Sequence, residues 1–249
     1  MSPPSTNPTC RRHEEAPGLA VCAECGADMC GACHGFDRRG FAVCPACRGD
    51  PDRSRPLWER GEDQYTPRAY ARTIWQVIRH PRQFSERIPL EEGWLPALLF
   101  GFITMTVGLL VDRAWTLALQ PEFLSTLTEY TEAAQDIPRD QLRLMVFLTT
   151  PVSVLLAGAV HIGALKAAVD IAGGSASWTG ITRIAGYAFG SYLFFLIPPV
   201  AGFPIGRLLA IVWLFNLEAS ALQNHYGFEP WKATFTVVLP AMLLMVCGG

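Results

Sequence analysis

Residues 95–119 read LPALLFGFITMTVGLLVDRAWTLAL, and this stretch decides the fold. As an α-helix it would rise about 37 Å, enough to cross a hydrocarbon layer about 30 Å thick with some tilt. Its only charges are Asp112 and Arg113. A charge at the centre of a bilayer costs about 3 kcal/mol on insertion scales, which predicts that this pair lies near the far boundary or faces other helices. Four more apolar stretches follow, over 142–165, 178–198, 204–223 and 230–247. Pro151 should bend the second, where Gly158, Ala159, Gly163 and Ala167 offer small contact positions. The third carries Gly186 and Gly190 at a spacing that suits close helix packing. Pro198, Pro199 and Gly202 leave only a hairpin before the fourth, which holds Arg207, Asn216 and Glu218; Pro240 lies inside the fifth. The predicted fold class is mainly α, a five-span transmembrane helical bundle over 95–249. A count of four would follow if the third and fourth stretches did not each cross.

Composition changes upstream of residue 95. Residues 1–94 hold 26 of the 42 charged side chains and seven of the eight cysteines. A soluble enzyme, a collagen-like fibre and a secreted disulfide scaffold fit neither half. The first nine residues lack a basic stretch followed by an apolar run, so a loose tail is expected there in place of a cleavable signal peptide. Residues 49–67, GDPDRSRPLWERGEDQYTP, are too polar and proline-rich to bury a core and read as a linker. Within 68–94, Tyr70, Ile74, Val77 and Ile78 share one helical face, while Arg72, Arg79 and Arg82 occupy the other side or its borders. That pattern predicts a short amphipathic helix at the membrane interface ending near Pro81, the alternative being a helix docked on protein.

The cysteines lie between the tail and the linker, in a small domain over 10–48. Cys10-x2-His13, Cys22-x2-Cys25, Cys30-x2-Cys33 and Cys44-x2-Cys47 make four pairs, and a two-residue gap lets both members turn toward one ion. Eight ligands fill two tetrahedral zinc sites and leave no open position, so both ions are expected to be structural. Spacing alone permits a serial wiring in which the two middle pairs share an ion. His34 is a weaker replacement candidate. Phe36, Phe41 and Val43 are few apolar groups for about 40 residues, so metal binding should supply most of the folding free energy.

The four-pair pattern resembles the B-box type of zinc finger. That resemblance implies crossed wiring, with Cys10, His13, Cys30 and Cys33 on one ion and Cys22, Cys25, Cys44 and Cys47 on the other. The last pair departs from many B-boxes, which use histidines there. The membrane region resembles the Yip family of Ypt- or Rab-interacting proteins and their bacterial relatives. The words that carry the likeness are His80-Pro81-Arg82-Gln83-Phe84, Arg183-Ile-Ala-Gly-Tyr187-Ala188, Ile211-Val-Trp213, His225-Tyr-Gly227 and Trp231-Lys232-Ala233. The resemblance implies a five-helix membrane fold with a cytoplasmic amino terminus, here in a bacterial inner membrane, and relatives that act as adaptors in membrane traffic.

A formal net charge of −2 gives no electrostatic reason to expect nucleic acid as a partner. No phosphate loop or His-Glu-x2-His word occurs, and Ser153, Ser191 and Ser220 have no recognisable base, so no catalytic residues are assigned. The expected role is a noncatalytic membrane scaffold or adaptor that presents a zinc-stabilised module to a cytoplasmic or membrane protein; self-association is left open. A small-solute or ion transporter is the alternative, with Asp112, Arg113, His161, Lys166, Asp170, Arg207, Asn216 and Glu218 as lining or ion-pair residues. A membrane-embedded enzyme assembled from distant residues, such as His161 with Asp112 or Glu218, is a third. Five crossings put the carboxyl terminus across the membrane. Arg79, Arg82, Arg87, Lys166, Arg183 and Lys232 flank the inside, against Arg139, Arg143 and Arg207 outside.

Overall fold

Short-range backbone geometry organises the cysteine region. The computed structural model describes residues 9–10, 13, 15–23, 26–33, 35–36, 42–44, 55–60, 64–119, 138–200 and 203–248. The chain divides into two units, Met1–Arg55 and Pro56–Gly249. In the first, β1 (Ala20–Val21) pairs antiparallel with β2 (Asp28–Met29), and β3 (Gly35–Phe36) with β4 (Ala42–Val43). The β1–β2 turn closes when the Cys22 N–H donates to the Ala27 carbonyl and the Gly26 N–H to the Cys22 carbonyl, each at 2.9 Å. Gly26 has φ +71°, a left-handed conformation that glycine adopts without a Cβ clash. Met29 and Val43 are buried here with Cys10, Cys22, Cys30 and Cys33. Among the described residues, two aliphatic side chains beside the thiols are too few to hold a unit of this size together by burial alone.

The second unit is helical. A 3-10 turn at Leu57–Glu59 leads to α1 (Pro67–Arg79), α2 (Pro81–Glu86), α3 (Leu95–Leu119), α4 (Arg139–Ile171), α5 (Trp178–Ala188), a 3-10 helix (Phe189–Leu196), α6 (Ile205–Tyr226) and α7 (Pro230–Gly248). Thr66 caps α1 by accepting from the Ala69 N–H at 3.2 Å, and Ser177 caps α5 by accepting from Gly180 at 3.0 Å. Three described helices are long and apolar enough to cross a membrane: Leu95–Leu119, Asp140–Ile171 and Ile205–Tyr226. The stretch expected as a third continuous span is instead α5 followed by the 3-10 helix. At 1.5 Å and 2.0 Å per residue these two pieces together rise about 33 Å, more than the same residues would as α-helix.

Against α3 lie α5 and the 3-10 helix, α4 runs along α7, and α2 lies on α6. The α3–α5 contact is backbone to backbone. A Cβ at Gly101 would fall 2.5 Å from the Gly186 carbonyl oxygen, and one at Gly186 would fall 2.5 Å from that of Ala97. The expectation of close packing at Gly186 is met, through a partner glycine that the sequence analysis did not single out. Asn224 donates to the Ser85 hydroxyl at 3.0 Å and His225 Nε2–H to the Ser85 carbonyl at 2.8 Å, which fixes α2 on the end of α6.

One boundary needs correction. The linker does not extend to residue 67, because Pro56–Glu59 is folded into the helical unit. There Trp58 is buried, its indole N–H donating to the Pro96 carbonyl at 2.8 Å and its backbone N–H to the Thr73 hydroxyl at 2.9 Å. Its ring meets Tyr65 and Tyr70 edge-on at 5.1 and 5.6 Å. One tryptophan with partners waiting outweighs a polar average over the segment. The amphipathic helix α1 buries Ala69, Thr73, Ile74 and Val77 against protein. Its other side exposes Arg68, Arg72, Trp75 and Arg79, with the Arg79 guanidinium 5.3 Å from the Trp75 ring.

Candidate metal centre and buried ion pairs

The first and third cysteine pairs come together. Tight turns position each pair, with the His13 N–H donating to the Cys10 carbonyl at 3.1 Å and the Cys33 N–H to the Cys30 carbonyl at 3.0 Å. His13 Nδ1 then lies 3.4 Å from Cys30 Sγ and 3.2 Å from Cys33 Sγ. The ligand atoms of Cys10, His13, Cys30 and Cys33 all stand within 4.8 Å of one another, a group able to hold a metal ion. Atoms arranged tetrahedrally at about 2.3 Å from a zinc stand about 3.8 Å apart, so small rotamer shifts bring this set to bonding distance. Without a cation the arrangement has an electrostatic cost. Burial, together with the neighbouring Cys10 and Cys30 thiols, pushes the Cys33 thiol up to about 11, so it keeps its proton at neutral pH until a metal replaces it.

Among the described residues, Cys30 and Cys33 gather with the first pair, which is not the serial wiring. In the other half, the Cys44 backbone N–H donates to Cys22 Sγ at 3.4 Å, which brings the leading residues of the second and fourth pairs together. Cys25, Cys47 and the replacement candidate His34 lie outside the described residues, as do the side chains of Phe36 and Phe41. No disulfide joins the described cysteines.

A second constellation was missed by the sequence reading. Arg183 on α5 is fully buried, and its Nη2 donates to both carboxylate oxygens of Glu59 at 2.6 Å. Its Nη1 donates to the Gly93 carbonyl, and the Tyr187 hydroxyl donates to the same Glu59 carboxylate. Tyr187 packs edge-on against Phe84 at 5.2 Å. Two of the words that carry the family likeness, those holding Phe84 and Tyr187, therefore meet where α2 packs against α5. Ile211-Val-Trp213 contributes as well, the Trp213 indole donating to the Ile78 carbonyl at 2.8 Å. Nothing in the sequence pointed to Glu59, which stands 124 positions from Arg183 in a stretch read as linker.

Apart from Arg113, the residues weighed as a transport route pair off. Arg207 on α6 makes a two-pronged ion pair to Asp112 on α3, at 2.8 and 2.7 Å. Lys166 pairs with Asp170 one turn along α4, and Asn216 accepts from Ser220 at 3.3 Å. His161 meets Glu218 and not Asp112, its Nε2 lying 2.7 Å from Oε1.

These features define the class, a helical membrane domain preceded by a small unit with a Cys3His metal-ligand set. Residues 75–249 match the Yip1 domain, and the chain belongs to that family. The match places the helical unit in a lipid bilayer, and the cysteine unit lies outside the matched residues. No curated protein and no solved structure matches the chain.

Proposed function

We propose that this protein is a noncatalytic membrane adaptor that presents a double-zinc module at the cytoplasmic face. The observation that carries the reading is the union of Cys10, His13, Cys30 and Cys33, in a unit whose described residues bury only Met29 and Val43 beside the cysteines. Three thiolates and an imidazole are a soft donor set that suits zinc, and four protein ligands leave no position for substrate, which makes the ion structural. Cys22, Cys25, Cys44 and Cys47 hold the second zinc, in the crossed order of a B-box. Family members are trafficking-associated membrane proteins that interact with small Rab-type GTPases, and an added contact module suits an adaptor of that kind.

Contacts at both ends of the bundle support five crossings. Arg183 in the middle of α5 reaches Gly93 just before α3, while Arg207 near the start of α6 reaches Asp112 in the last third of α3. The segment between Arg183 and Arg207 therefore runs from one end of α3 toward the other. His225 at the end of α6 returns to Ser85. The helix α7 then starts on the amino-terminal side and ends opposite. The pairing of Asp112 with Arg207 and of Lys166 with Asp170 favours a structural role for these charges over a transport route.

Crosslinked pull-downs with the intact chain, and with residues 10–48 deleted, test the adaptor role. Loss of a defined set of protein partners on deletion is expected. Identical partner profiles would refute it.

A further inference from the structure

One pair of ionisable groups inside the helical bundle does more than join neighbours. His161 on α4 and Glu218 on α6 are both fully buried, Nε2 to Oε1 at 2.7 Å. His161 Nδ1 lies 3.2 Å from the Pro240 carbonyl of α7. A carbonyl only accepts, so Nδ1 carries a hydrogen and donates it. A second proton must then lie between Nε2 and Oε1, either on the imidazolium facing a carboxylate or on the carboxyl facing a neutral imidazole. The two arrangements differ in where that proton sits and share a net charge of zero. Glu218 Oε2 is buried and has no hydrogen-bond partner.

The surroundings leave the pair to itself. From the 3-10 helix, the Phe189 ring stands 5.4 Å from the imidazole, and Tyr192 lies within electrostatic reach of Glu218 and Asp112. Asp112 on α3 is held by Arg207, Lys166 and Asp170 on α4 hold each other, and Arg183 on α5 is held by Glu59. On α6, Ser220 and Asn216 bond to each other; on α7, the Thr236 hydroxyl donates to the Lys232 carbonyl. No third charged side chain among the described residues bonds to His161 or Glu218.

We propose that His161 and Glu218 form a proton-binding site within the membrane bundle, with one proton shared between Nε2 and Oε1 and Oε2 as the acceptor for a second. The second step takes a proton from hydronium, breaking one of its O–H bonds, releasing water and forming an O–H bond at Oε2, and so converts a neutral pair into a buried cation. Uncompensated charge in a low-dielectric interior is costly, and His161 of the pair supplies the side-chain hydrogen bond from α4 to the Pro240 carbonyl of α7. The neutral, closed pair is therefore present near neutral pH, and acid weakens the α4–α7 contact at this position. Proton uptake becomes a local opening of α7.

The test uses the full chain in phosphatidylcholine nanodiscs, with 15N-labelled histidine and 13C-labelled glutamate carboxyls. At about pH 8 ordinary carboxyls are ionised and ordinary histidines neutral, so any exception stands out. One of two signals is expected: an imidazolium resonance absent from His161→Gln, or a protonated-carboxyl infrared band absent from Glu218→Gln. Between about pH 8 and pH 5, exchange of the α7 amides around Pro240, corrected for intrinsic rates, should rise about tenfold while α3 stays constant. Neither signal at about pH 8 means no shared proton, and both together mean two; each overturns the proposal, as does an α7 response equal to that of α3. Should a variant fail to fold, the pH titration of the two wild-type signals counts the protons on its own.

Discussion

Replacing Glu59 by alanine tests whether the segment ahead of α1 is truly part of the helical unit. The substitution removes both oxygens that accept from Arg183 at 2.6 Å and the partner of the Tyr187 hydroxyl, leaving the guanidinium one protein acceptor, the Gly93 carbonyl. Arg183 Nε already lacks a partner. Breaking a buried pair by deleting one side costs about 3–5 kcal/mol, because the remaining charge stays buried. Taking about 4 kcal/mol, and about 2–4 °C per kcal/mol for a unit of this size, the unfolding midpoint should fall by about 8–16 °C. The assay is thermal unfolding of the full chain in detergent, followed by tryptophan fluorescence, since buried Trp58 lies beside the lost residue. The double variant Glu59→Leu with Arg183→Met should recover most of the loss, because an apolar pair leaves no orphaned charge. A fall of less than about 2 °C for Glu59→Ala would refute the clasp, for it would mean that water solvates both groups.

Other outcomes follow from the cysteine unit and the bundle. Cys30→Ala and Cys22→Ala should each make that unit protease-sensitive and lower its metal content, whereas His34→Ala should not; equal effects, read by limited proteolysis and metal analysis, would count against the ligand assignment. Zinc must displace thiol protons, including the one held on Cys33 up to about pH 11, so affinity should rise with pH below that point by about tenfold per unit for each thiol proton released. Competition titrations with a zinc chelator between about pH 6 and pH 8 check this, and a flat profile contradicts it. Reporter fusions near Ser5, Ser125, Ser175 and after Gly249 should read inside, outside, inside and outside, and termini on one side would overturn five crossings.

Hydropathy made the long helices legible, because α3, α4 and α6 each hold enough consecutive apolar residues to be read without their neighbours. The break at Phe189 was not legible, since a 3-10 segment has no composition of its own. Cysteine spacing identified pairs but not partners. The crossed order came from resemblance, and only the turns at Cys10–His13 and Cys30–Cys33 bring those two pairs into one cluster. Arg183 was counted as a charge flanking the membrane, yet it is buried against Glu59. That partnership depends on the chain's return after more than a hundred residues, which no local pattern encodes. The same holds for His161, for which Asp112 and Glu218 were equal candidates until helix packing chose Glu218.

Metal stoichiometry of the intact chain tests the adaptor account most directly, because the proposed module exists only if both ligand sets are filled. Purification in detergent under reducing, zinc-replete conditions, followed by elemental analysis and native mass spectrometry, should give about two zinc ions per chain. The count should drop when Cys10 or Cys44 is replaced by alanine, and the helical unit should remain inserted. A folded cysteine unit with fewer than two bound metal ions would contradict the account.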